Sequence, residues 1–240
     1  MNIIQHMDLI LFLNSETTGL PIKKLKTPTS KNLDNWPRII ALQWKIGYLN
    51  KENKIILLDN ENVYCIIKPV FFAIPPETIL IHGISQDIAK NGLDIDIVLS
   101  EFKKRLEQKY EIGENQNCVI KTIVSHNTPF HINNLKAEFI RTNIQINLNK
   151  YEIIDIMNYN HLFKYPTLDK LFEYCYKRIY NRSHPRKSNI MIMVKCYEHL
   201  YNTTNNQKPI DIKKDDLVTN KDDLIIKIDE EQFIYPTIKK

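Results

Sequence analysis

The residues best placed to do chemistry lie in Asn14-Ser15-Glu16-Thr17-Thr18-Gly19-Leu20-Pro21, directly after the apolar run Leu9-Ile10-Leu11-Phe12-Leu13. The run reads as a strand buried on both faces, and Gly19 and Pro21 then turn the chain. Side chains alternate along a strand, so Asn14 and Glu16 share a face at its end. Two carboxylates at that spacing would suit a hard divalent cation, which needs oxygen ligands and negative charge. Here the first position is an amide. Further along stand His126, His131 and His184, with Asn189 five residues after the last. Each also has an ordinary reading. Asn14 suits a turn, and Glu16 a surface acid. His131 begins a helix whose stripe is Ile132, Leu135 and Phe139, which suits a hydrogen-bonded, partly buried histidine. Asn189 shares a helical face with Met193 and Cys196 and suits a satisfied buried amide.

The elements that must hold these residues follow from periodicity. Arg38 to Leu49 reads as a second strand, the polar Asn50-Lys51-Glu52-Asn53 as a hairpin turn, and the chain from Lys54 as a third strand. Residues 22–36 form a Lys/Pro/Ser/Asn loop long enough to be a functional flap or a mobile excursion. Pro75-Pro76 opens a helix at the turn where a missing N–H costs nothing, and Ser85 caps another. Ile97, Val98, Phe102 and Leu106 recur at helical spacing between charges, an amphipathic helix laid on a sheet. Val119 to Val124 and Ile153 to Met157 are short apolar strands. Helices are expected from Pro129, over Thr167 to Lys177, and over Arg186 to Tyr201. Three meandering strands followed by alternating helices and strands predict a mixed α/β sheet covered on both faces.

The chain has 240 residues, 43% of them hydrophobic, enough for a substantial core. Its net charge is +5: the tail from Asn202 carries −1 and the body +6, which permits a phosphate-bearing partner without requiring one. Cys65, Cys118, Cys175 and Cys196 show no Cys-x-x-Cys spacing and sit among apolar neighbours, as buried free thiols in a reducing compartment. No signal peptide and no membrane-spanning run is seen, so an intracellular, soluble protein is expected.

The ordered set Asn14 to Pro21, Asn35-Trp36-Pro37-Arg38-Ile39, Ile81-His82-Gly83-Ile84-Ser85, Ser125-His126-Asn127-Thr128-Pro129-Phe130-His131-Ile132, and His184 with Asn189 resembles the DEDDh 3′–5′ exonucleases. These are the proofreading-type members of the ribonuclease-H-like superfamily. The resemblance runs over residues 7–201 in order and spacing. It implies a ribonuclease-H-like, mixed five-stranded sheet flanked by helices over residues 1–201, with a polar linker and tail over 202–240.

The resemblance also implies a site of four carboxylates and a histidine, holding two divalent ions about 3.5–4 Å apart. Carried over position by position, Glu16 and His184 are retained, while Asn14, His131 and Asn189 stand where acids are lost. Thr17, Thr18, Gly19, Leu20, Ile81, His82, His126, Asn127 and Phe130 correspond to the groove for terminal nucleotides. Mg²⁺ depends on charged ligands, so the implied protein is a pseudoenzyme that has lost metal-dependent hydrolysis and binds single-stranded nucleic-acid ends or serves in an assembly. An active 3′–5′ exonuclease with altered metal use is the alternative; an interaction protein without nucleic acid is another. No cofactor is expected unless activity persists, when Mg²⁺ or Mn²⁺ is. A rebuilt Zn²⁺ or Fe²⁺ site would draw on Glu16, His131 and His184. The apolar cluster Leu224 to Ile228 suits either an added strand or a protein partner bound through residues 214–240.

Overall fold

The computed structural model describes residues 8–113, 115–158, 166–179 and 189–206. His184 and the tail, including residues 214–240, lie outside them. The apolar run that opens the chain becomes β1, Asp8–Thr17. It pairs antiparallel with β2 (Ile39–Leu49), which pairs antiparallel with β3 (Ile55–Ile66). On its other edge β1 pairs parallel with β5 (Asn115–Ser125), and β5 pairs parallel with β6 (Glu152–Asp155). β1 is thus central, which explains why its sequence is apolar without alternation.

The sheet has six strands, one more than expected. The addition is β4, Tyr110–Ile112, a three-residue strand paired antiparallel with the start of β5. It is too short to show a period-two pattern, and the helical pattern before it runs to about Tyr110, its first residue. Gly113, at φ +58, turns the chain out of β4 in a conformation that L-residues adopt at a cost.

Two helical layers cover the sheet. On one face α3 (Ile95–Glu107) and α4 (Thr128–Arg141) pack against Leu9, Leu11 and Leu13, with the Trp44 and Phe102 rings edge to face at 5.4 Å. On the other, α5 (Leu168–Tyr176) and α6 (Asn189–Asn206) cover Ile10 and Phe12. Two short helices, α1 (Pro76–His82) and α2 (Gln86–Ala89), precede α3; Ser85 caps α2 by accepting from the Ile88 N–H. All four cysteines are buried and free. α6 continues to Asn206, past Asn202 where the polar linker was expected to begin. Among the described residues no helix is long and apolar enough to cross a membrane.

The 22–36 loop is pinned to the body. Asn35, in a short 3-10 helix, accepts from the Lys23 N–H at 2.7 Å and donates to the Lys23 carbonyl. Arg141 of α4 donates to the carbonyls of Leu33 and Trp36 at 2.7 and 2.6 Å. Beneath them the fully buried Glu138 accepts from Arg38, Arg141 and the Ile39 N–H at 2.9–3.1 Å, all through Oε1. Arg38 in turn fixes the turn after β1: its N–H donates to the Thr18 hydroxyl and its carbonyl accepts from the Thr18 N–H.

Candidate functional site

The end of β1 sets the site. Asn14 lies opposite Gln43 and Glu16 opposite Ala41, both on the face that carries Phe12, while Ser15 points to the other face and is buried. A register shift between Glu16 and Thr17 then ends the pairing. The Asn14 amide donates to the Glu16 carboxylate at 3.4 Å. Thus the one retained acid of the expected set has an amide as its neighbour.

His131 comes to the same place from the first turn of α4. Asn127 adopts a left-handed conformation, φ 64, just before that helix, and its N–H donates to Asp155 at the end of β6. The Ser15 backbone N–H donates to His131 Nδ1 at 3.2 Å, with the Ser15 hydroxyl 2.8 Å from the same atom. A backbone N–H can only donate, so Nδ1 is the acceptor and the neutral tautomer carries its proton on Nε2. The ring also bonds the backbone carbonyl of His126. Burial lowers the His131 pKa from 6.5 to about 4, helped by the nearby His126. His126, whose Nε2 lies 2.9 Å from the Pro166 carbonyl oxygen, is likewise lowered by burial.

This has a consequence for stability. The folded protein favours neutral His131, so its contribution is fully present above pH 6.5 and is lost as pH falls towards 4. The loss is on the order of 3 kcal/mol if the unfolded chain keeps an ordinary histidine. In denaturant titrations His131→Gln, whose amide oxygen can still accept from Ser15, is expected to show a shallower decline from pH 7 to pH 4.5 than the parent. An unchanged decline would contradict this placement of the ring.

Asn14, His126, His131 and Asn189 line one pocket of about 280 Å³. All three positions expected to have lost acids therefore meet in the fold, although they come from β1, α4 and α6. The rest of the described lining is Met157, Pro166, Thr167, Leu168 and Met193, which sequence reading did not single out. Only Met193 carried a signal, one helical turn beyond Asn189.

The remaining predicted residues fall around the turn after β1 and on α1. Leu20 and Ile81 are exposed apolar side chains, and Gly19 has open space where a Cβ would project. Thr17 is buried, its hydroxyl donating to the Gly19 carbonyl, so it braces the turn. Phe130 packs edge to face on His131 at 5.2 Å. The expectation that His82 contacts nucleic acid does not fit its environment: it is 3% exposed, and its Nδ1 accepts from the Ile84 N–H. There it shapes the turn between α1 and α2.

Among the described residues the donor set does not fit a pair of divalent ions. Asn14 and Asn189 bring no charge, and the lone pair on His131 Nδ1 already faces Ser15. Mg²⁺ gives up its water reluctantly and is normally repaid by carboxylates. The same hydrogen bonds leave neutral His131 without a lone pair for Zn²⁺ or Fe²⁺. Among the described residues, no three His, Cys, Asp or Glu side chains form a group suited to a metal.

No family model matches the chain, and no curated protein matches it in sequence. Solved structures do match in shape. A 3′-exonuclease in 3′-end-specific recognition of a histone mRNA stem-loop superimposes with a TM-score of 0.57 at 12% identity, over 84% of both chains. The nuclease domain of 3′hExo, a DEDDh family member bound to rAMP, gives 0.56 at 13%, over 84% of this chain and 94% of that one. E. coli ExoI, in a zinc-bound complex with single-stranded DNA, gives 0.57 at 13% over 84% of this chain; the match spans 42% of ExoI. The fold of this chain is that of the DEDDh 3′-exonucleases.

Proposed function

We propose that this protein binds single-stranded nucleic-acid ends without hydrolysing them, as a pseudoenzyme of the exonuclease fold or a subunit of an assembly that uses such ends. The observation that carries the reading is the pocket at the end of β1. It brings Asn14, His131 and Asn189 together, with the histidine neutral and engaged by Ser15. Hydrolysis through two divalent ions needs charge at these positions, and amides and a neutral imidazole supply none.

Binding makes no such demand. The turn Thr17 to Leu20 is fixed by Arg38, and Leu20 and Ile81 offer exposed apolar surface for bases. Replacing acids by neutral groups also removes repulsion towards phosphate. Structural likeness to a 3′-exonuclease that recognises an mRNA stem-loop and to an exonuclease complexed with single-stranded DNA is consistent with this role.

A gel-shift titration of the purified chain with labelled single-stranded oligonucleotides, in EDTA, tests the proposal. Binding that weakens as salt rises is expected, because phosphate contacts release counterions. Absence of binding, or binding indifferent to salt, would leave a role in protein assembly alone.

A further inference from the structure

The pocket at the end of β1 has a second property: its described lining carries no full charge of either sign. Met157, Pro166, Leu168 and Met193 are apolar, Asn14 and Asn189 are amides, and among the described residues neither Lys nor Arg lines it. Both imidazoles are committed to protein oxygen and nitrogen atoms, His131 to Ser15 and the His126 carbonyl, His126 to the Pro166 carbonyl. An ion moved into such a cavity exchanges its hydration for a few dipoles, which is costly for phosphate and metal alike.

A flat, uncharged ring with donors and acceptors along its edge meets no such cost. A primary amide offers a donor and an acceptor together and can pair in bidentate fashion with a base edge. Methionine sulfur makes favourable contacts with aromatic rings. A cavity of about 280 Å³ lies at the small end of ligand sites, room for one ring system.

We infer that this pocket takes the base of a terminal nucleotide, read at its edge by Asn14 and enclosed by Met157, Leu168 and Met193. The inference rests on the proposed binding of nucleic-acid ends and reverses the polarity of the site. An uncharged ring sits where the exonuclease resemblance implies metal ions and a phosphate.

The test uses the full chain in EDTA and two labelled single strands, one ending in an ordinary 3′ nucleotide and one in an abasic 3′ residue. The wild-type protein is expected to bind the abasic strand about tenfold more weakly, the scale of one stacked base. Asn14→Leu removes the edge contact, and Leu168→Trp fills the cavity from its rim. Both are expected to bind the two strands alike, at the abasic level. Free nucleoside should compete with the ordinary strand, and inorganic phosphate should not.

Equal binding of the two strands by the wild type would overturn the inference. So would full discrimination kept by both variants, which would place the base elsewhere, or competition by phosphate alone. If both strands bind equally well, only this inference fails; if neither binds, the proposed function fails with it. Should either variant not fold, the wild-type comparison and the competition still decide.

Discussion

The triple variant Asn14→Asp, His131→Asp, Asn189→Asp is expected to gain Mg²⁺- or Mn²⁺-dependent shortening of single strands, at least about 10²-fold above the parent. That is the scale of restoring one well-placed electrostatic group at an active site. The parent has one acid of the implied four, Glu16, and Asn14 donates to it. The structure predicts a cost as well. His131→Asp removes the ring that accepts from the buried Ser15 N–H, and four carboxylates then face one another without a counterion. In EDTA the variant should therefore be less stable than the parent by about 1–3 kcal/mol. Added divalent metal should recover that loss, since a ligand bound only by the folded state stabilises it. Metal should leave the parent's melting temperature unchanged. A revertant that stays inactive, with a melting temperature indifferent to metal, would show that the pocket has drifted beyond replacement of its acids.

The largest stability effect is expected at Glu138. Its side chain is 1% exposed and holds Arg38, Arg141 and the Ile39 N–H through one oxygen. Burial already works against the Arg141 charge, with Glu138 the main opposing influence. Glu138→Ala would leave a guanidinium half-buried without its counter-charge, and about 3–5 kcal/mol of stability should go. Arg38→Ala should cost less, because the Arg38 side chain is 30% exposed and regains water. Replacing the pair together, Glu138→Leu with Arg141→Met, should recover much of the loss. Equilibrium denaturation of the four proteins checks the order. Because Arg141 also ties down the carbonyls of Leu33 and Trp36, proteolysis at Lys23, Lys24 and Lys26 should quicken in Glu138→Ala. A loss below about 1 kcal/mol, the range of surface pairs, would contradict the burial of this cluster.

Much of this fold was legible because β1 announces itself. A strand buried on both faces must be apolar throughout, and Leu9 to Leu13 has no other good reading. Helix starts were marked by Pro76 and Ser85, residues whose backbone and hydroxyl chemistry act locally. β4 was not legible: three residues beside Gly113 form a strand only because the start of β5 lies alongside. The loop at 22–36 was read from its length as a flap or a mobile excursion, yet Arg141, more than a hundred residues away, pins it.

The grouping of Asn14, His131 and Asn189 was legible, and their wiring was not. Motif order placed Asn14, His131 and Asn189 together, and the pocket holds all three. That His131 is neutral and turned to Ser15 depends on a contact across 116 residues, for which no spacing rule exists. His82 carried the same motif signal as its exposed neighbour Ile81, yet it faces inward, because adjacent positions on a helix point in different directions. The walls from Met157, Pro166 and Leu168 belong to no motif. They become visible only when β6 and α5 are packed.

The central claim is that the exonuclease fold here holds an end of nucleic acid and leaves it uncut. Its most direct test is one labelled single strand incubated with pure protein, followed for both mobility shift and length, in Mg²⁺ and in EDTA. The account predicts the same salt-sensitive shift in both and a strand of unchanged length throughout. Shortening from the 3′ end that requires Mg²⁺ or Mn²⁺ and disappears in Glu16→Ala would contradict it.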